Sequence, residues 1–367
     1  MNILLFLGVL VVLILVHEFG HFAAAKLSRM RVDEFGIGFP PRLWGIRRGE
    51  TLYSVNALPL GGFVKIFGED GEAAEESSDR ERSFARKPRA LQAVVLVSGV
   101  LGNLILAWVL LSAGFMAGMP TAADDSLGRE LQNVRLVATS VLPDSPAQEG
   151  GLKRGDTLRT LSAGGEFLAP EEPGDVSAFV AAHASEEITV TVARGGGEAV
   201  ARLSPRAGVI AAEPDTPAIG IAMGRVGDLR LSPPAALIEG ARATYEMFGA
   251  TASGLYRFAA QTLTGAGDFS QIAGPVGIVS LVGDAGALGF IYLLSFTALI
   301  SVNLALINIL PFPALDGGRL LFVAIEALKG SAIRPAVSRA LNTAGFVLLI
   351  LLTLAITYHD IARIVAS

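Results

Sequence analysis

Four apolar segments constrain the fold of this chain more than any other feature. They cover approximately residues 3–27, 91–118, 287–307 and 343–358. An apolar stretch of about 20 residues can cross the hydrocarbon core of a bilayer as a helix, which satisfies its own backbone hydrogen bonds there. The composition agrees, because the 367 residues are 51% hydrophobic and only 17% charged. We therefore predict a polytopic α-helical membrane protein with four transmembrane helices.

The first segment has a second interpretation. Ala23-Ala24-Ala25 resembles the small-residue cleavage site of a signal peptide. A signal peptide normally carries basic residues before its apolar run, and none precedes this one. We expect the segment to remain as the first transmembrane helix.

The same segment contains His17-Glu18-Phe19-Gly20-His21, whereas residues 2–16 carry no charge. Ionisable groups are costly inside a membrane segment and usually have a function there. Residues four apart share one face of a helix, so His17 and His21 could hold one zinc ion, with Glu18 placed to accept a proton from water. A chance match is the alternative. The chain has no cysteine and four histidines, so any further ligand must be His, Asp or Glu.

A third ligand is suggested after the third apolar segment, in the run from Asn308 to Gly318 that includes Asp316. Two prolines and two glycines in this run cannot continue a regular helix. Irregular backbone near membrane depth is tolerated where it is buried in protein or lines a wet cavity. Asp316 could therefore complete a metal site and leave a fourth position for water. Alternatively, Asp316 could simply cap the next helix.

The distribution of positive charge predicts the topology. Twelve Lys or Arg lie between Lys26 and Arg89, and four lie between Arg319 and Arg339. The positive-inside rule then places loops 28–90 and 319–340 in the cytoplasm and both termini outside. His17 follows Ile3 by 14 residues, about 21 Å of helix, so it lies towards the cytoplasmic side of the membrane. Asp316 reaches the same side, which indicates one shared site.

The segments between the apolar runs differ in character. Residues 28–90 alternate polar and apolar residues with glycines, which predicts strands or hairpins beside the site. An edge strand there could pair with an extended substrate. The predicted substrate-binding residues in it are Gly61, Gly62, Phe63 and Val64. Asn103, inside the second apolar segment, is predicted either to bond another helix or to adjoin the site, and is included among the substrate-binding residues.

Four regions follow from these patterns: residues 1–119, an N-terminal membrane part; 120–226, a soluble domain; 227–285, an amphipathic helical segment; and 286–367, a C-terminal membrane part. The stripe over residues 233–263 predicts a helix that packs on other helices or lies on the membrane surface. The net charge of −5 argues against a nucleic-acid partner.

Two sets of motifs resemble known families. Ser145-Pro146-Ala147, followed by Gly151-Leu152-Lys153-Arg154-Gly155-Asp156, resembles a PDZ domain. Together with His-Glu-Phe-Gly-His, residues 59–65, Gly274-Pro275-Val276-Gly277-Ile278 and the run from Asn308 to Gly318, the chain resembles the site-2 protease family of intramembrane zinc metalloproteases. More narrowly, it is similar to the bacterial RseP type, which regulates sigma-E stress signalling.

That resemblance implies a zinc metalloendopeptidase with one Zn²⁺ per chain, held by His17, His21 and Asp316, with Glu18 as the catalytic base and Asn308 positioning substrate. It implies a membrane-associated β-hairpin or sheet and an inserted extracytoplasmic PDZ-like α/β domain that binds a peptide or protein ligand. The expected substrates are membrane proteins with a single transmembrane segment, such as anti-sigma factors or remnant signal peptides. The expected location is the bacterial inner membrane.

Two departures and two alternatives accompany the resemblance. Val100 stands where such proteins usually carry proline, and one PDZ-like domain is apparent where the best-known relative has two. A membrane zinc sensor or transporter would need ligands at several depths and more acidic residues in the spans. An inactive scaffold on the same fold would have no chemical use for Glu18.

Overall fold

A computed structural model describes residues 2–69, 79–123, 131–195, 197–210, 213–264 and 274–366. The chain divides into two compact units, which are described separately. The first comprises Met1–Ser112, Leu237–Gly286 and Leu294–Ser367, and the second comprises Ala113–Ala236 and Ala287–Leu293.

Four helices in the described part of the chain are long and apolar enough to cross a membrane. They are α1 (Asn2–Leu27), α2 (Arg89–Ala117), α7 (Phe290–Ile309) and α9 (Pro335–Ala366). The four predicted spans are thereby confirmed as helices. Helix α9 is much longer than the apolar segment 343–358. Its first two turns contain the polar residues Ser338 and Arg339, so hydropathy alone does not include them in the predicted span. Pro335 at the first helical position suits this earlier start, since proline lacks only an amide hydrogen that the first turn leaves unpaired.

Shorter or more polar helices connect these spans. They are α5 (Pro233–Leu263), α6 (Pro275–Leu288) and α8 (Asp316–Lys329), and α5 confirms the helix predicted over residues 233–263. At the start of α6, the backbone amide of Gly277 donates to the buried carboxylate of Asp360 in α9 at 2.9 Å. A carboxylate at a helix N-terminus is favourable, so Asp360 joins α6 to α9.

The region after α1, for which the sequence predicts strands or hairpins, forms two long strands, β1 (Val32–Arg48) and β2 (Thr51–Ile66). Residues 32–37 of β1 lie between residues 62–66 and residues 52–55 of β2, and residues 42–48 pair with residues 51–56. Among the described residues, segments 62–66 and 42–48 are therefore the two edges of this folded hairpin.

Glu50 anchors the hairpin at its turn. Its carboxylate accepts hydrogen bonds from Lys26 at 2.6 Å and Arg82 at 2.7 Å. Partial burial works to raise the pKa of Glu50, but the two cations outweigh it and lower that pKa below its usual value. The carboxylate therefore stays charged and keeps the hairpin tied to the end of α1.

The second unit contains a seven-stranded antiparallel sheet with two short helices, α3 (Pro146–Glu149) and α4 (Pro173–Ala182). Its strands are β3 (Met119–Ala122), β4 (Gln132–Val141), β5 (Thr157–Ala163), β6 (Glu166–Leu168), β7 (Ile188–Arg194), β8 (Gly197–Leu203) and β9 (Ile221–Leu229). The order is β3-β9-β4-β5-β7-β8, and β6 pairs with β5. Inward-facing side chains of alternate strand residues, such as Ile188, Val190 and Val192, form its core with apolar residues of α4.

An ion pair between the buried Asp156 and the partly exposed Arg194 stabilises this unit. The Asp156 side chain is 1% exposed and accepts two hydrogen bonds of 2.6 Å from Arg194. These hydrogen bonds raise the pKa of Arg194 above its usual value. Arg194→Leu would leave Asp156 buried without its cation, and we expect a loss of about 3 kcal/mol in the free energy of unfolding. Arg206→Leu is the matched control, because its partner Glu149 is exposed and such pairs contribute less than about 1 kcal/mol. Thermal unfolding of both variants checks this, and equal losses would contradict it.

Candidate metal centre

Three possible ligand atoms from α1 and α8 meet at one point. His17 and His21 project from one face of α1, and their Nε2 atoms lie 3.2 Å apart. Oδ2 of Asp316 lies 3.0 Å from Nε2 of His17 and 3.1 Å from Nε2 of His21. Both histidines are buried. The structure thus brings together side chains that are 295 residues apart in sequence, as the predicted topology requires.

This triangle fits a zinc ion. Zinc ligands at about 2.0–2.1 Å in tetrahedral geometry stand about 3.3 Å apart, close to the distances between these three atoms. Two imidazoles and a carboxylate are also a donor set that catalytic zinc sites use, with the fourth position open. Among the described residues, these three form the one His/Asp/Glu cluster that could hold a metal.

The chain after α7 folds tightly to present Asp316. Ala314 has a φ of +76°, and Leu315 occupies the N-cap position of α8 without a side-chain cap. Asp316 is therefore the first residue within α8, and the alternative in which it is the helix cap is wrong. A Cβ at Gly317 would overlap the carbonyls of Ile309 and Leu310, and one at Gly318 would overlap that of Phe312. Both glycines are required for this close backbone approach.

Helix α2 lies behind the two imidazoles. Nδ1 of His21 lies 2.8 Å from the carbonyl oxygen of Val95, and Nδ1 of His17 lies 3.2 Å from the side-chain nitrogen of Asn103. Asn103 is completely buried and contacts the His17 ring, so it adjoins the site, which is one of the two roles predicted for it. Val95 and Gly99 were missed by sequence reasoning. A backbone carbonyl leaves no trace in the residue type, and a glycine has no side chain that could mark it as part of a metal site.

Two adjoining cavities open onto the triangle. One of about 260 Å³ is lined by Ile14, His17, Glu18, Gly61, Gly62, Leu304, Asn308, Ala314, Leu315 and Asp316. The other, about 200 Å³, is lined by His17, Glu18, His21, Phe63, Val64, Ile66, Glu69, Val95, Leu96, Asp316 and Arg319. Glu18 therefore borders both, beside the edge segment 62–66. Of the predicted substrate-binding residues, all except Asn103 line one cavity or the other.

The other two histidines, His183 and His359, lie at or near the ends of helices other than those of the metal ligands. His183 ends α4 in the second unit, where its ring stacks on Phe179 and its Nδ1 lies 3.0 Å from the carbonyl oxygen of that residue. His183 therefore has a structural role in this unit. His359 lies near the end of α9.

Comparison with known proteins now adds to this geometry. Residues 5–352 match the model of peptidase family M50. The chain belongs to peptidase family M50. A "Putative zinc metalloprotease" of Clostridium acetobutylicum is 33% identical over 350 residues, which cover 95% of this chain and 94% of the relative. Zinc metalloprotease RasP of Geobacillus kaustophilus is 27% identical over 437 aligned residues, covering 99% of this chain and 98% of that protein.

Family membership confirms the predicted class of protein. This chain is a zinc metalloprotease of the site-2 type, and intramembrane proteolysis is the activity of its family. Zn²⁺ is the expected cofactor. The four apolar helices agree with a membrane protein that acts on other membrane proteins.

Proposed function

We propose that His17, His21 and Asp316 hold the zinc ion and that Glu18 is the catalytic base of an endopeptidase acting on single-span membrane proteins. One observation carries this proposal: Glu18 and all three ligand residues line one cavity, and the edge segment 62–66 borders that same cavity. A scaffold would not need Glu18 there. A transporter would need further ligands along a path, and the described residues contain one such cluster.

The chemistry divides between metal and protein. When bound, zinc would act as a Lewis acid and lower the pKa of water, so that water could act as a nucleophile near neutral pH. Glu18 accepts the proton that this water releases and then donates it to the leaving amine. Asn308, whose amide nitrogen lies 3.5 Å from Nε2 of His17, lines the same cavity and is proposed to orient the substrate carbonyl.

A helical substrate must unwind before its peptide bond can be attacked, because its carbonyls are hydrogen-bonded within the helix. We propose that the edge segment 62–66 holds the unwound strand by backbone pairing. A Cβ at Gly62 would lie 3.0 Å from Cγ2 of Ile14 and 3.3 Å from Cγ of Glu18. The missing side chain therefore lets the edge segment approach α1 closely and places its backbone next to Glu18.

Proline in this edge segment tests the pairing. Val64→Pro removes an amide hydrogen and places a ring at the edge, and we expect cleavage of a single-span reporter to fall about tenfold or more while zinc content stays unchanged. Arg47→Pro is the matched control, because residue 47 lies in the opposite edge segment 42–48. Unchanged cleavage by Val64→Pro, or an equal loss in both variants, would contradict a substrate role for this edge.

The domain assignment and the topology are also proposed. We propose that residues 120–226 form a PDZ-like domain that binds an extended peptide, and that it and both termini are extracytoplasmic in a bacterial inner membrane. Ser145 caps α3 by accepting a hydrogen bond from the amide of Gln148, and the buried Asp156 pairs with Arg194. Both motif segments thus serve as structural parts of the sheet domain. The charge asymmetry of the loops supports the orientation.

Cleavage in a bilayer tests the function. Purified full-length protein in lipid nanodiscs is incubated with a single-span reporter, and the products are mapped by mass spectrometry. We expect the cut within or next to the transmembrane segment, its suppression by a zinc chelator, and its recovery on adding Zn²⁺. Cleavage that is unchanged by the chelator, or cuts that occur only in soluble loops of the reporter, would contradict the proposal.

A further inference from the structure

We propose that one face of α2, formed by Val95, Gly99 and Asn103, fixes both imidazoles with Nε2 towards the metal, and that Asn103 does so through its Oδ1 atom. This inference rests on the proposed zinc site. It assigns to α2 a positioning role, whereas the ligands themselves come from α1 and α8.

The three positions are spaced four residues apart and so form one stripe along α2. The stripe meets the two histidines, which are also four apart on α1: Val95 faces His21 and Asn103 faces His17. The two helices approach each other closely at glycines that flank these contacts. A Cβ at Gly20 would overlap the carbonyl of Ser98, and one at Gly102 would lie 2.8 Å from that of Val16.

The imidazole chemistry determines what each ring needs. A neutral imidazole has one N–H and one lone pair, and a metal takes the lone pair. If Nε2 binds the metal, Nδ1 carries the hydrogen and requires an acceptor, as metal-bound histidines usually have. His21 meets this requirement, because its Nδ1 lies 2.8 Å from the carbonyl oxygen of Val95.

His17 meets it only if the amide of Asn103 turns. In the structure, the side-chain nitrogen of Asn103 lies 3.2 Å from Nδ1 of His17, so two N–H groups would oppose each other once zinc binds. Oδ1 of the same amide is buried without a hydrogen-bond partner among the described residues. A half-turn of the amide places Oδ1 at Nδ1 and replaces a repulsive contact by a hydrogen bond. The backbone carbonyl of Asn103, which accepts from Ser301 at 2.7 Å, holds this turn of α2 against α7.

Gly99 completes the stripe between those two contacts. A Cβ there would overlap Nε2 of His21 and lie 2.8 Å from Cε1 of His17. Any side chain at this position would occupy the space of the two rings. Because Gly99 has no side chain, the backbone of α2 can pack directly against the two imidazole rings.

Two substitutions at Asn103 test the acceptor role. Asn103→Leu removes the acceptor at similar volume, and we expect zinc affinity to fall about 10- to 100-fold, with a changed visible spectrum of the Co²⁺-substituted protein. Asn103→Asp places a carboxylate oxygen, also an acceptor, at the His17 ring, and we expect its zinc affinity to equal or exceed that of the wild type. The matched control is Asn303→Leu, which alters another amide in a membrane helix, α7, whose Oδ1 is also buried and has no hydrogen-bond partner within the described part of the chain. Affinity is measured on full-length protein by competition with a chromophoric chelator.

Four results separate the possibilities. Wild-type affinity and spectrum in Asn103→Leu would overturn the inference, as would equal losses in the Leu and Asp variants, because an acceptor role predicts rescue by aspartate. A loss in Asn303→Leu as large as in Asn103→Leu would likewise overturn it. A wild-type protein that binds no stoichiometric metal would instead contradict the proposed zinc site itself.

Discussion

Glu18→Gln is expected to keep its zinc and to lose cleavage of a single-span reporter by about 10²–10⁴-fold. Glutamine has nearly the same shape as glutamate but cannot accept the proton that a water nucleophile must release. The substitution does not touch the three ligand atoms, which belong to His17, His21 and Asp316. The loss should therefore appear in the turnover rate, whereas metal content is unaffected.

The matched control is Glu246→Gln, an exposed residue of α5 that pairs with Arg242 one turn away. We expect this variant to cleave at the wild-type rate. Reporter cleavage and zinc content are measured on the same preparations. Full activity of Glu18→Gln would exclude Glu18 as the base, and loss of zinc together with activity would make it a metal-holding residue.

The second large effect is expected at Gly99, where Gly99→Ala should lower zinc affinity about 10- to 100-fold and reduce cleavage in proportion. A methyl group there would overlap the His21 ring and lie 2.8 Å from Cε1 of His17, which is well inside ordinary carbon contact of about 3.5–4.0 Å. One ring must move, or α2 must withdraw from α1. Either change separates the ligand atoms.

Gly8→Ala provides the control for this substitution. Gly8 also lies in a membrane helix, α1, and a Cβ at that position would meet no heavy atom within 4 Å. We expect its zinc affinity and cleavage to match the wild type, since alanine favours a helix over glycine. Equal behaviour of Gly99→Ala and Gly8→Ala would show that α2 does not confine the imidazoles.

Much of the membrane part could be predicted because hydropathy and helix length depend on residue type alone. The bounds of α1, α2 and α7 follow from their apolar runs, and α5 follows from its stripe of apolar residues. The convergence of Asp316 with His17 and His21 was predicted from matching depth in the membrane. In each case, a local pattern or a simple distance argument was sufficient.

Other features depend on backbone positions that residue types do not report. The carbonyl of Val95 contacts His21 through atoms that every residue possesses. Asn103 was predicted to bond another helix or to adjoin the site, but a polar residue in an apolar run does not reveal its partner, which is His17. The pairing of residues 32–37 with two separate parts of β2 requires a long-range register, which alternation of polar and apolar residues does not specify.

X-ray absorption at the zinc edge of the purified full-length protein is the most decisive test of the metal centre. We predict one zinc per chain, with nitrogen and oxygen ligands at about 2.0–2.1 Å and scattering from two imidazoles. We also expect zinc content to fall sharply in Asp316→Ala. A protein without stoichiometric zinc, or a zinc spectrum without two imidazoles, would contradict the assignment of His17, His21 and Asp316.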